Sequence, residues 1–98
     1  MANDTASPRL WTLDTVGVII AKGTAVKVRR ILFYPSTIDH TVLIQEYGAD
    51  GTLIQAIKIK ASHTDVNPVS LPFNPPLELN GFKLATIDGG SVDVYREI

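Results

Sequence analysis

The chain has 98 residues, no cysteine, and nine Lys and Arg against ten Asp and Glu, for a net charge of −1. These figures exclude disulfides and thiolate metal sites, and they leave no long-range field to draw the protein to nucleic acid or anionic lipid. Hydrophobic residues make up 45% of the chain, yet a domain this short buries only about 60–65% of its unfolded surface, so some apolar side chains are expected to face a partner.

The opening "MANDTASPRL" has no basic region followed by an apolar stretch, and no later run reaches the roughly 18 apolar residues of a membrane span. The expectation is a protein made in the cytoplasm with no membrane association, a flexible polar arm over residues 1–8 and a single domain over 9–98. Helical spacing is absent, whereas short runs rich in Val, Ile, Thr and Tyr recur between Gly, Pro, Asn and Asp clusters. The strands read as Leu10–Asp14, Val16–Lys22, Ala25–Tyr34, Thr41–Tyr47, Thr52–Lys60, Leu77–Leu79, Phe82–Asp88 and Ser91–Arg96. The fold class is therefore all-β, a small antiparallel β-sandwich of jelly-roll type with about eight strands, although a closed barrel uses the same alternation.

In the first strand, Trp11 lies beside Leu10 and Leu13, a setting in which a single Trp packs into the core more often than it anchors a ligand. In "AVKVRRILFY", strict alternation would put Arg30 on the core side with Val26, Val28 and Leu32. Either a bulge at Arg29-Arg30 resets the pattern or Arg30 meets a carboxylate at an edge or interface.

Three hairpins are expected farther on. In "TVLIQEYGADGTLIQAIKIK" an even loop pairs Tyr47 with Thr52 and gathers Val42, Ile44, Leu53, Ile57 and Ile59 on one face. The other face carries Lys58, Lys60, Thr41 and Gln45 but also Leu43, Tyr47, Ile54 and Ala56, which form either a second buried face or a subunit contact. Asn80-Gly81 is a strong hairpin signal and would set Leu79 against Phe82 and Glu78 against Lys83. A two-residue loop at Gly89-Gly90 would pair Ile87 with Val92, at the cost of bringing Lys83 opposite Arg96. The proline-rich "NPVSLPFNPP" at 67–76 reads as an extended edge or strap.

No chemistry-bearing constellation emerges. The two histidines, His40 and His63, lack any metal-ligand spacing, so neither a metal nor another cofactor is expected. There is no G-x-S-x-G elbow, no phosphate-binding glycine motif and no assignable carboxylate pair. The protein is expected not to be an enzyme.

The order "LWTLDTVG", "VKVRRILFYP", "TVLIQEYGADGTLI", "NPPLELNGFKLATIDGGSVDVYRE" resembles a group of small all-β proteins encoded among the virion genes of tailed bacteriophages. The resemblance implies a capsid cement or decoration protein on the capsid exterior, whose partners are the major capsid protein and copies of itself. The candidate interface residues are Leu43, Tyr47, Ile54, Arg29 and Arg30. The alternatives are a small β-barrel module that binds carbohydrate or single-stranded nucleic acid through Trp11, Tyr34 and the basic strand, or a tail or fibre component.

Overall fold

The β-branched runs form six strands of one antiparallel sheet in a computed structural model that describes residues 3–7 and 9–97. They are β1 (Leu10–Leu13), β2 (Gly17–Tyr34), β3 (Thr41–Tyr47), β4 (Leu53–Lys60), β5 (Val69–Ile87) and β6 (Ser91–Glu97). Their order across the sheet is β1-β6-β2-β5-β3-β4, and there is no helix among the described residues. Met1, Ala2 and Pro8 of the expected arm, and Ile98, lie outside them.

The count is six and not eight because two expected breaks are corners within long strands. Val16–Lys22 and Ala25–Tyr34 join across Gly23 into β2, while the proline-rich strap, Leu77–Leu79 and Phe82–Asp88 join into β5. At the corner Ile20 pairs with Phe82 and Ala25 with Asn80, so Ala21 to Thr24 loop out opposite Gly81 alone. Gly81 has φ +75, and a Cβ there would come within 2.7 Å of the Tyr47 ring and 3.0 Å of the carbonyl oxygens of Ile20 and Ala21. The Asn80 side chain braces the bend. It accepts from the Gly23 amide at 2.8 Å and donates to the Tyr47 carbonyl at 2.9 Å.

The hairpin expected at Asn80-Gly81 is thus a corner, with Leu79 against Val26 and Glu78 against Lys27. Asn-Gly suits a positive φ wherever one is needed, and here β2 lies close enough to take up the backbone bonds that a hairpin would have made internally.

The bend lets residues from both ends of the strand order contribute to one core. The first part of β5 runs beside β2, and its last part pairs with β3, from Gln45↔Lys83 to Val42↔Ile87. Trp11 and Leu13 of β1 then share one core cluster with Ile57 and Ile59 of β4, although those strands are at opposite ends of the strand order. The Trp11 ring meets Phe82 edge-on, with centroids 5.3 Å apart and planes at 78°, an arrangement that adds about 0.5–1.5 kcal/mol beyond the area buried.

The Gly89-Gly90 turn is also corrected. β6 does not fold back on β5 but crosses to lie between β1 and β2, pairing Val92 with Leu13 and Phe33, and Val94 with Trp11 and Ile31. Gly90 has φ +79, and a Cβ there would overlap the Tyr34 carbonyl oxygen, while one on Gly89 would overlap the Ser36 hydroxyl. The crossover is pinned by Asp88, whose amide donates to the Thr41 carbonyl at 3.2 Å and whose carboxylate accepts from the Thr41 amide at 2.9 Å. Lys83 faces Val18 and Gln45 instead of Arg96, so the like-charge clash of the expected hairpin does not arise.

β3 and β4 do form a hairpin, but Tyr47 pairs with Leu53 and not with Thr52. Thr52 belongs to the turn: its carbonyl accepts from Gly48 at 2.7 Å and its amide donates to the Asp50 carboxylate at 2.9 Å. A shift between Ile44↔Ile57 and Gln45↔Gln55 leaves Ala56 as the extra residue. Val42, Ile44, Ile57 and Ile59 are buried, whereas Leu53, expected on their face, is 36% exposed. A bulge changes which side an alternating pattern presents, and this one turns Leu53 outward.

Candidate functional site

β2 carries its apolar residues inward at Val26 and Val28, then at Ile31 and Phe33. That three-residue step from Val28 to Ile31 requires a bulge, and it occurs at Arg29. Against β6 the register passes from Val28↔Arg96 to Arg30↔Tyr95, leaving Arg29 as the extra residue. Against β5 it passes from Val28↔Leu77 to Arg30↔Pro72, so Phe73 to Pro76 bow away from the sheet. The expected bulge at Arg29-Arg30 is thus what resets the pattern, and both arginines are exposed.

The bowed segment and the bulge open a groove of about 710 Å³ bordered by Arg9, Arg29, Arg30, Arg96, Tyr95 and Glu97. Pro72 and Phe73 form part of its wall. These are all four arginines of the chain, set against one carboxylate. Arg9 is held here because its carbonyl accepts from the Arg96 amide at 2.8 Å, which ties the entry of β1 to the end of β6.

Two of the guanidiniums are positioned from within the protein. The Arg96 Cζ lies 4.1 Å from the centroid of the Trp11 ring, a cation–π stack that fixes the position of the charge. Desolvation there lowers the Arg96 pKa from its usual value, but a guanidinium remains protonated across the physiological range. Arg29 reaches Glu97 at 3.8 Å, with both side chains well exposed, and a surface pair of that length contributes little. A planar fork of N–H donors matches carboxylate or phosphate oxygens two at a time, so the grouping is suited to holding an anion.

The other three expected interface residues lie on a different part of the molecule. Leu43 is half-buried on β3 between Lys58 and Thr86. Tyr47 is half-buried at the end of β3, beside the Gly81 corner. Ile54, on β4, is 49% exposed next to Leu53. Thus Arg29 and Arg30 belong to the groove at the bulge of β2, while Leu43, Tyr47 and Ile54 belong to the β3–β4 hairpin at the end of the sheet.

Arg9 and Arg96 were not picked out by sequence reasoning, because their approach to Arg29 depends on β6 pairing with β2. A signal existed in the charges. The expected hairpin opposed Lys83 to Arg96, whereas the actual pairing opposes Lys27 to Glu97. Trp11, 2% exposed, is a core residue and offers no open ring for a sugar or base.

The loop residues considered for metal binding come partly together. His63 Nδ1 lies 2.8 Å from Asp39 Oδ2, and Lys60 Nζ lies 3.7 Å from Asp39 Oδ1. The bond to His63 is the main cause that holds the Asp39 carboxyl below its ordinary pKa. No group of three His, Cys, Asp or Glu side chains placed to share a metal ion occurs among the described residues.

Comparison of the chain with family models, with curated proteins and with solved structures finds no match.

Proposed function

We propose that this protein is a non-enzymatic structural component of a tailed-phage virion, a cement or decoration protein that attaches to the capsid exterior. Its partners in this reading are the major capsid protein and further copies of itself. The doubled-over sheet serves as a small sandwich of jelly-roll type, a rigid body that presents one edge to its neighbours.

The observation that supports this reading is the unguarded half of β4. β4 ends the sheet and pairs only with β3 among the described strands. Toward its C-terminal end, Lys58 and Lys60 face solvent, charges of the kind that discourage strand addition. At the other end Leu53 and Ile54 are exposed, and β4 carries no charged residue of its own from Leu53 to Ile57. An open edge with apolar side chains favours pairing with another chain, and repetition around a shell multiplies a modest contact.

Sedimentation of the purified protein with and without phage capsids tests the proposal. The parent protein should co-sediment with capsids, and Ile54→Lys should weaken attachment by about tenfold, the effect of losing one anchoring side chain. A protein that stays monomeric and attaches to no capsid would overturn the proposal.

A further inference from the structure

We propose that the four-arginine groove is a clamp for a short acidic segment of a partner protein, an extended stretch in which Asp or Glu residues follow one another closely. The inference rests on the preceding reading only in taking the occupant to be a protein. It concerns a different surface from the β4 edge.

Charge complementarity carries the argument. All four arginines of a chain whose net charge is −1 border this one groove, and Glu97 is the one carboxylate residue bordering it. An anionic occupant offers these arginines carboxylate oxygens that match their N–H forks. The groove's volume of about 710 Å³ lies within the range of about 300–1,000 Å³ found for ligand sites.

The composition and limits of the patch favour a peptide over a nucleic acid. None of the five lysines borders the groove. The nearest in sequence, Lys27, lies across from Glu78 on β5 and Glu97 on β6, so carboxylates interrupt the basic path where a longer polyanion would need it to continue. Single-strand binders also rely on open aromatic faces. Here Trp11 is covered by Arg96 and Phe73 packs against the core, so of the aromatic residues at the groove Tyr95 alone, 37% exposed, offers an open ring, too few for a stacking platform.

The same geometry argues for side-chain recognition over strand addition. β5 runs along the groove through Pro72, Pro75 and Pro76, which supply no backbone donors to an incoming strand. The occupant is then held by arginine–carboxylate forks, with Arg96 already positioned by its stack on Trp11.

Trp11 is the only tryptophan in the chain and lies directly under Arg96, so its fluorescence reports an anion drawn to that guanidinium. The probes are an oligoglutamate peptide, an oligoglutamine peptide of equal length and an oligothymidylate, titrated into the full chain at low and moderate salt. Calorimetry gives a second readout for each.

Oligoglutamate should bind and oligoglutamine should not, and added salt should weaken the binding. Arg30→Gln or Arg9→Gln should each cost about tenfold in affinity, as expected for a charge-assisted fork. Ile54→Lys should leave this affinity unchanged. Equal binding of oligoglutamine, parental affinity in both arginine variants, or tighter binding of oligothymidylate would overturn the assignment. Capsid attachment without oligoglutamate binding would refute the clamp and leave the virion reading standing. Oligoglutamate binding without capsid attachment would do the reverse.

Discussion

The two edges of the sheet are finished in different ways. β1 is covered by its own chain: Asp4 pairs with Thr12 through two backbone hydrogen bonds of 2.7 and 2.9 Å. The Asn3 side chain accepts from the amides of Asp14 and Thr15 and donates to the Thr15 carbonyl, each at 2.8 Å. β4 has no such cover among the described residues and exposes Leu53 and Ile54. An edge strand is a standing template for another chain. Here one template is occupied internally and the other is left open among the described residues, and in the proposed role β4 is the side that meets a neighbour. The arginine groove lies beside the closed edge, where recognition passes to side chains.

The strongest challenge to this contrast is Trp11→Ala. If β1 is an integral wall of the core, losing the Phe82 contact and the platform under Arg96 should lower unfolding free energy by about 3–5 kcal/mol in urea titration. A loss below about 1 kcal/mol would show that β1 is peripheral.

Asn3→Ala tests the cover itself. Removing the three side-chain bonds should cost about 1 kcal/mol, and the Thr12 amide should exchange hydrogen faster while amides in β3 do not. On the open edge, Ile54→Lys should change stability by no more than about 0.5 kcal/mol, because an exposed position contributes little to the fold. A larger loss would mean that Ile54 serves the domain's own packing.

The smallest effect is expected at Asp39, where the loop beside β4 is tied down. Its folded pKa lies below the ordinary 3.8, chiefly through the bond to His63. A lowered carboxyl pKa stabilises the fold above the unfolded value, and this contribution is lost as pH falls from there through the folded value. Asp39→Asn should therefore flatten stability against pH on that acid limb. Asn also tolerates the φ of +62 at this position. An unchanged acid limb would show that the bond adds nothing to the fold.

The apolar alternation was legible in the sequence. Val42, Ile44, Ile57 and Ile59 face inward together, as do Val92 and Val94. The misfit of Arg30 in strict alternation pointed to the bulge that now forms the groove. Leu53 was misplaced because one extra residue, Ala56, reverses the face of the β4 residues that precede it relative to Ile57 and Ile59.

Turn chemistry was legible only as the need for a permissive backbone. Gly81 and Gly90 both have positive φ, as Asn-Gly and Gly-Gly pairs suggest, but one lies in a corner and the other in a crossover. Local rules assume that a strand leaving a turn pairs with the strand entering it. In this protein β6 finds its partners in Leu13, Ile31 and Phe33, far away in the chain.

The sequence by itself determined the all-β class, most inward-facing positions and the places where the backbone must bend, because each follows from side-chain period and backbone sterics over a few residues. Only the tertiary structure decided which strands meet. That choice depends on burying Trp11, Phe82 and the facing aliphatic residues in one shared core, and it alone brought Arg9 and Arg96 to Arg29 and Arg30.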